Sequence, residues 1–157
     1  MIQFKLIDQR FTQAQLLNFF NENVEGLTKE VLRGMVDAVL QHSPVDTGTY
    51  VRSHEVTLDA RKGGYGTESS HMKPRHVPRE PVIEEARSNM YSTIEGLTAN
   101  TKEASIRNVS AHANFVEYGR APFKSGKEYT FHAPYSKARA ETNNIIAEAR
   151  VRFEGIR

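Results

Sequence analysis

The stretch Ser43-Pro44-Val45-Asp46-Thr47-Gly48 constrains the fold of this chain more than any other, because it separates a long helical pattern from an alternating, strand-like run. Proline has no backbone donor and disfavours helix in the residue before it, so the preceding helix is expected to stop near His42. Asp46 and Thr47 can bond neighbouring amides through their short side chains, and Gly48 can take a positive φ without steric penalty. Thr49-Tyr50-Val51-Arg52-Ser53 then carries the chain into the next element. The pattern is that of a built corner, and its chemistry is conformational.

Hydrophobic periodicity places the other elements around that corner. Ile2, Phe4 and Leu6 alternate with Gln3 and Lys5 as a short strand, and Thr12 is a candidate cap for a brief helix through Leu16, Leu17, Phe19 and Phe20. From Asn23, Val24, Leu27, Val31, Met35 and Ala38 recur at helical spacing, with Leu32, Val36 and Val39 widening the stripe. That helix would run to His42, roughly 28 Å at ~1.5 Å per residue. Gly34 within it leaves room for close packing on that face. Beyond the corner, Val56, Leu58 and Ala60 alternate with Glu55, Thr57 and Asp59 as a half-buried strand, followed by a turn at residues 61–66. Residues 69–81 hold three prolines without apolar periodicity and are expected to form an exposed loop or arm. Pro81 suits a helix's first turn, and Ile83, Ala86, Met90, Ile94 and Leu97 mark a second amphipathic helix. Ala104–Val109 is a short strand, His112–Tyr118 a helical turn stopped by Gly119, and a final helix is expected from Pro134 through Ala138, Ile145, Ala149 and Phe153. The expected fold is α+β: a single domain over 1–157 in which long N-terminal and C-terminal helices pack on a small, mostly antiparallel sheet, with an inserted loop and helix at 69–100.

Composition narrows the function classes. A length of 157 residues suits one modest core, and a hydrophobic content of 38% leaves some apolar surface for neighbouring copies to complete. A formal charge of +2 gives no global nucleic-acid signal, and the absence of cysteine removes disulfides and thiolate metal sites. The first residues lack a signal peptide's apolar core, and no run approaches the ~20 apolar residues of a membrane span, so a soluble chain assembled in the cytoplasm is expected.

Catalytic patterns fail one by one. The six histidines (His42, His54, His71, His76, His112 and His132) are scattered, without a His-x-x-x-His pair or an adjoining carboxylate cluster. Glu84 and Glu85 are adjacent on a helix and point apart, and Gly63-Gly64-Tyr65-Gly66 lacks the lysine of a phosphate-binding loop. The expectation is no enzyme, no metal and no cofactor. The runner-up is a small nucleic-acid-binding module using the basic loops: Arg61 and Lys62 beside Tyr65, and Lys73, Arg75, His76 and Arg79.

Two segments resemble the tail-completion, or head–tail joining, proteins of tailed phages. In that family a helix runs into a P-x-D/x-T-G-x-L-R-x-S corner, and a later helical turn ends in E-Y-G before a loop and a last helix. Here the first match is Pro44-Val45-Asp46-Thr47-Gly48-Thr49-Tyr50-Val51-Arg52-Ser53, one residue longer between glycine and arginine. The second is Ala111-His112-Ala113-Asn114-Phe115-Val116-Glu117-Tyr118-Gly119, and Tyr129–Pro134 is a looser third. The insertion at 69–100 departs from the family.

The resemblance implies a structural virion protein of the phage neck, forming a homo-oligomeric ring of six or twelve copies. One face would meet a portal-side adaptor or stopper and the other a tail terminator or tail tube protein. DNA would pass through without specific binding, and no membrane would be involved. Pro44, Asp46, Thr47, Gly48 and Arg52 would then be corner residues, and Glu117, Tyr118 and Gly119 the second motif. Lys73, Arg75, His76 and Arg79 would belong to an arm that contacts a partner. Arg52 and Glu117 are candidates to pair, and Tyr118 and Phe115 are expected to pack in the core.

Overall fold

The stripe of Leu27, Val31, Met35 and Ala38 winds into helix α1 (Val24–His42), and Leu32, Val36, Val39 and Leu40 are buried with it. A helix apolar on so many sides must be enclosed, and α1 is the central rod of the molecule. The structure, a computed structural model, describes residues 3–6, 9–10, 24–45, 48–59, 77–98, 100–110, 113–119 and 132–155. The expected helix through Leu16 and Phe20 and the turn at 61–66 lie outside these residues.

Helix α1 ends at His42, as Pro44 requires, and the chain turns through Gly48 at φ 78°. A single helical turn, α2 (Thr49–Arg52), follows and puts Val51 into the core. Strand β3 (His54–Leu58) then pairs antiparallel with β4 (Glu103–Asn108), setting Val56 opposite Ile106. Their inward residues His54, Val56, Ala104, Ile106 and Asn108 are buried. The outward pairs are polar: Thr57 with Ser105, and Glu55 with Arg107. Strand β1 (Gln3–Leu6) lies parallel to β4 and antiparallel to β2 (Gln9–Arg10), which completes the order β2-β1-β4-β3. The sheet is therefore mostly antiparallel, and the fold is α+β.

Helix α3 (Arg79–Glu95) carries Pro81 in its first turn, where a missing N–H costs nothing. Its Val82, Ile83, Ala86, Met90 and Ile94, with Leu97 beyond its end, join the core and pack against α1 and β3. Helix α3 is thus central to the hydrophobic interior.

Helix α4 (Ala113–Tyr118) stops at Gly119, whose φ is also 78°. The C-terminal helix expected from Pro134 to Phe153 is instead two helices, α5 (Pro134–Ala140) and α6 (Thr142–Gly155). The break is at Glu141, which bonds the His42 ring at 2.5 Å, while the Thr142 hydroxyl donates to the Arg139 carbonyl at 2.7 Å. Two short helices can each lie along α1 where one straight rod would diverge from it. Small residues set how closely α6 approaches: a Cβ at Gly34 would meet Ile145 Cγ2 at 2.6 Å, and one at Gly26 would meet Phe153 at 2.5 Å. Among the described residues, no helix is long and apolar enough to cross a membrane.

Candidate functional site

The corner is held from outside and from below. On the outside, the Arg79 guanidinium donates to the carbonyls of Leu40, Gln41 and Ser43 at 3.2, 2.6 and 2.8 Å. Of these acceptors at the end of α1, the Leu40 carbonyl also takes the Ser43 N–H at 3.3 Å, and a cation there opposes the negative end of the helix dipole. Arg79 was expected in an exposed arm. It stands instead on the first residue of α3 as a cap for α1, because a helix end without donors attracts any guanidinium within reach. Arg52 runs back over Gly48, where a Cβ would lie 2.5 Å from its Nη1. Its Nε donates to Glu85 at 2.8 Å. Pro44 is half-buried, whereas Asp46, Thr47, Lys73, Arg75 and His76 lie outside the described residues.

Below the corner is a cluster of buried polar side chains. The Ser43 hydroxyl donates to the Val39 carbonyl at 2.7 Å and lies 2.8 Å from His54 Nε2. A hydroxyl has one proton, so Nε2 must carry the imidazole hydrogen and Ser43 must accept it. His54 Nδ1 is then the acceptor, and it faces the Tyr135 hydroxyl at 2.8 Å and the Asn108 amide at 3.2 Å. Asn108 is fixed at both ends: Nδ2 also donates to the Tyr50 carbonyl at 2.8 Å, and Oδ1 accepts from Ser110 N–H at 2.8 Å. The Tyr50 ring meets the imidazole edge-on, with centroids 5.0 Å apart. Burial holds the His54 pKa down at about 3, so the ring is neutral near pH 7. Burial, with Tyr50, Glu117 and Glu55 adding to it, pushes the Tyr135 phenol well above its ordinary range and keeps it a donor.

This Ser–His contact differs from an activated nucleophile in the direction of its proton. Activation requires the hydroxyl to give its hydrogen to the imidazole. Here the serine gives it to a backbone carbonyl and receives one from the ring. The arrangement is a joint.

The second motif joins the same structure. Helix α5 begins at Pro134 after Ala133, which lies at φ 45° and offers no side-chain cap. Glu117, only 2% exposed, supplies the cap from α4. One carboxylate oxygen accepts from Tyr135 N–H at 3.0 Å, and the other from Ser136 N–H at 2.8 Å and the Ser136 hydroxyl at 2.5 Å. An anion at a helix N-terminus satisfies orphan amides and the dipole together. The expected Arg52–Glu117 pair is therefore absent: Arg52 is on Glu85 outside, and Glu117 is enclosed against α5. Tyr135 spans the two motifs, its hydroxyl on His54 and its amide on Glu117.

Tyr118, expected in the core, is 58% exposed. Helix α4 buries Ala113, Val116 and Glu117 on one side, and the next helical step turns Tyr118 outward.

A charged rim runs across the helical layer. Arg33 on α1 reaches Glu30 and Glu95 and lies over the Tyr91 ring at 5.8 Å. Arg87 on α3 bonds Asp37 at 2.8 Å and also reaches Glu84, while the Tyr91 hydroxyl donates to Asp37 at 2.9 Å. Arg152 on α6 meets Glu30 at 3.4 Å. Among the described residues no group of three or more His, Asp or Glu side chains is placed to hold a metal ion.

Nothing in the sequence assigns a role to Ser43, His54 or Tyr135. They lie 11 and 81 residues apart, and spacings of that kind carry no periodic signal. One local signal was available for Glu117: the Ala133-Pro134 helix start lacks any capping side chain of its own, so an acceptor had to come from elsewhere. No family model, curated protein or solved structure matches the chain.

Proposed function

We propose that this chain is a structural, non-enzymatic protein of the virion neck of a tailed phage, a ring subunit that joins the DNA-filled head to the tail. Six or twelve copies close the ring through head-to-tail contacts. One face meets a portal-side adaptor or stopper, the other a tail terminator or tube protein, and DNA passes through the lumen unread.

The reading rests on the resemblance at Pro44–Ser53 and Ala111–Gly119, and one observation carries it furthest. The residues beneath both motifs are spent on joining elements: Tyr135 ties the corner, through His54, to Glu117 of the second motif. A subunit that works by shape needs rigid joints of this kind. Tyr118 adds an outward aromatic beside Gly119, suited to a neighbouring subunit. A nucleic-acid reading draws on the basic arm, and of that arm Arg79 is committed to the end of α1.

Electron microscopy of phage particles assembled without this protein tests the proposal. Separate filled heads and free tails are the expected products. Complete, infectious virions would overturn it.

A further inference from the structure

We propose that His54 is an acid-sensitive latch: a second proton on its ring releases α5 from the corner before the β3–β4 ladder opens. The inference is independent of the neck assignment and rests on which groups surround the imidazole.

Each ring nitrogen already has a fixed function. Nε2–H donates to Ser43, whose own hydrogen is on the Val39 carbonyl. Nδ1 must remain an acceptor, because Asn108 Nδ2–H points at it and cannot turn away without breaking its bonds to Tyr50 and Ser110. Protonation at Nδ1 would therefore set an N–H against the Asn108 amide donor and force the Tyr135 hydroxyl to rotate and seek another acceptor.

Among the described residues, the packed elements present nothing to neutralise an imidazolium. From just past the end of α1 comes the Ser43 hydroxyl, from α2 the Tyr50 ring, from β4 Asn108 and from α5 Tyr135. Glu117 lies behind Tyr135 with its oxygens taken by the α5 amides and Ser136. Glu55, the next residue on β3, is paired with Arg107 on the outward face of the sheet. Helix α3 contributes the Arg79 guanidinium, on the Ser43 carbonyl, and that charge has the same sign as an imidazolium.

The ring is fully enclosed and its pKa sits at about 3, against 6.5 for a free histidine. Between those values an opened state binds a proton that the closed state does not. The open-to-closed ratio then rises about tenfold for each unit of pH below about 6.5. The element released is α5, because its seven residues have one hydroxyl on the ring and take their N-terminal cap from Glu117.

Amide hydrogen exchange on the intact chain at pH 7.5 and pH 5, corrected for intrinsic rates, reads this directly. Protection of the Tyr135 and Ser136 amides is expected to fall about thirtyfold and to stay below that of the Thr57 and Ser105 amides, a hydrogen-bonded pair of the β3–β4 ladder, at both pH values. His54→Gln should flatten the pH dependence at Tyr135 and Ser136. Equal protection at α5 and at the β3–β4 ladder, no loss at α5, or an unchanged pH dependence in the variant would each overturn the latch. If the variant does not fold, the ring nitrogens of the wild-type protein decide. A neutral Nε2–H ring in the closed state down to pH 5 supports the proposal, and smooth titration near 6.5 with protected α5 amides refutes it.

Discussion

Beneath the corner, Ser43, His54, Asn108 and Tyr135 are enclosed and each is held by a fixed partner, whereas along α1, α3 and α6 the arginines and glutamates meet at the surface with neighbours to spare. In the enclosed region a lost partner leaves a polar atom in an apolar setting, where water cannot replace it. On the rim water replaces any lost partner at once. Similar side-chain chemistry thus specifies the fold in one place and mainly keeps the surface soluble in the other. The contrast predicts where single substitutions matter.

The largest effect is expected at Glu117. Glu117→Ala removes the cap of α5 and strands the amides of Tyr135 and Ser136, a loss of about 3 kcal/mol from charged hydrogen bonds and buried donors. Urea unfolding of the variant measures it, and Glu117→Gln should recover roughly half, since the shape and one acceptor return without the charge. Tyr135→Phe comes next. It takes the better donor from His54 Nδ1 and leaves the 3.2 Å contact to Asn108, at about 2 kcal/mol. A Tyr135→Phe protein as stable as the wild type would show that the enclosed region behaves like the rim.

The two regions also differ in how far a sequence reveals them. The end of α1 at His42 was legible because proline imposes it, and α3 was legible because Ile83, Ala86, Met90, Ile94 and Leu97 repeat at helical spacing. The break at Glu141 was harder to read: Thr142-Asn143-Asn144 are weak helix formers, and the Thr142 hydroxyl bonds back to Arg139, but the contact of Glu141 with His42 lies 99 residues away and leaves no pattern. The one-turn α2 was hidden for a similar reason: four residues between a glycine and a strand carry no period. The site was less legible still. Corner residues could be placed from turn chemistry, but the partners of Arg52 and Glu117 depended on which helices lie nearby, and α3 brought Glu85 to Arg52 first.

Gly48→Ala sits between the two regimes. At φ 78° an L-residue costs roughly 1–2 kcal/mol. The new Cβ also pushes on Arg52 Nη1, the flexible end of an exposed side chain, which can move aside, and lies 3.2 Å from Cγ1 of the buried Val82, which has less room to give. The expected loss is therefore about 2 kcal/mol, most of it conformational. Gly48→Asn, which tolerates the left-handed region, should lose less. Equal losses for the two variants would show that the Cβ contacts dominate and that the positive φ is incidental.

The smallest effect is expected on the rim, at Arg33 and Glu95. Arg33 has Glu30 as a second partner and the Tyr91 ring beneath it, so removing Glu95 leaves the guanidinium well placed. A double-mutant cycle of Arg33→Ala and Glu95→Ala should give a coupling of about 0.5 kcal/mol. At ~1 M salt, where the Debye length is ~3 Å, most of that coupling should vanish, while the loss in Glu117→Ala should barely change. A salt-resistant coupling above about 1.5 kcal/mol would mean that the rim is enclosed by something else in the working protein. Because Arg33 links α1 to α3, and Arg152 links α6 to the same Glu30, such a result would turn the rim from a solvated border into a contact face.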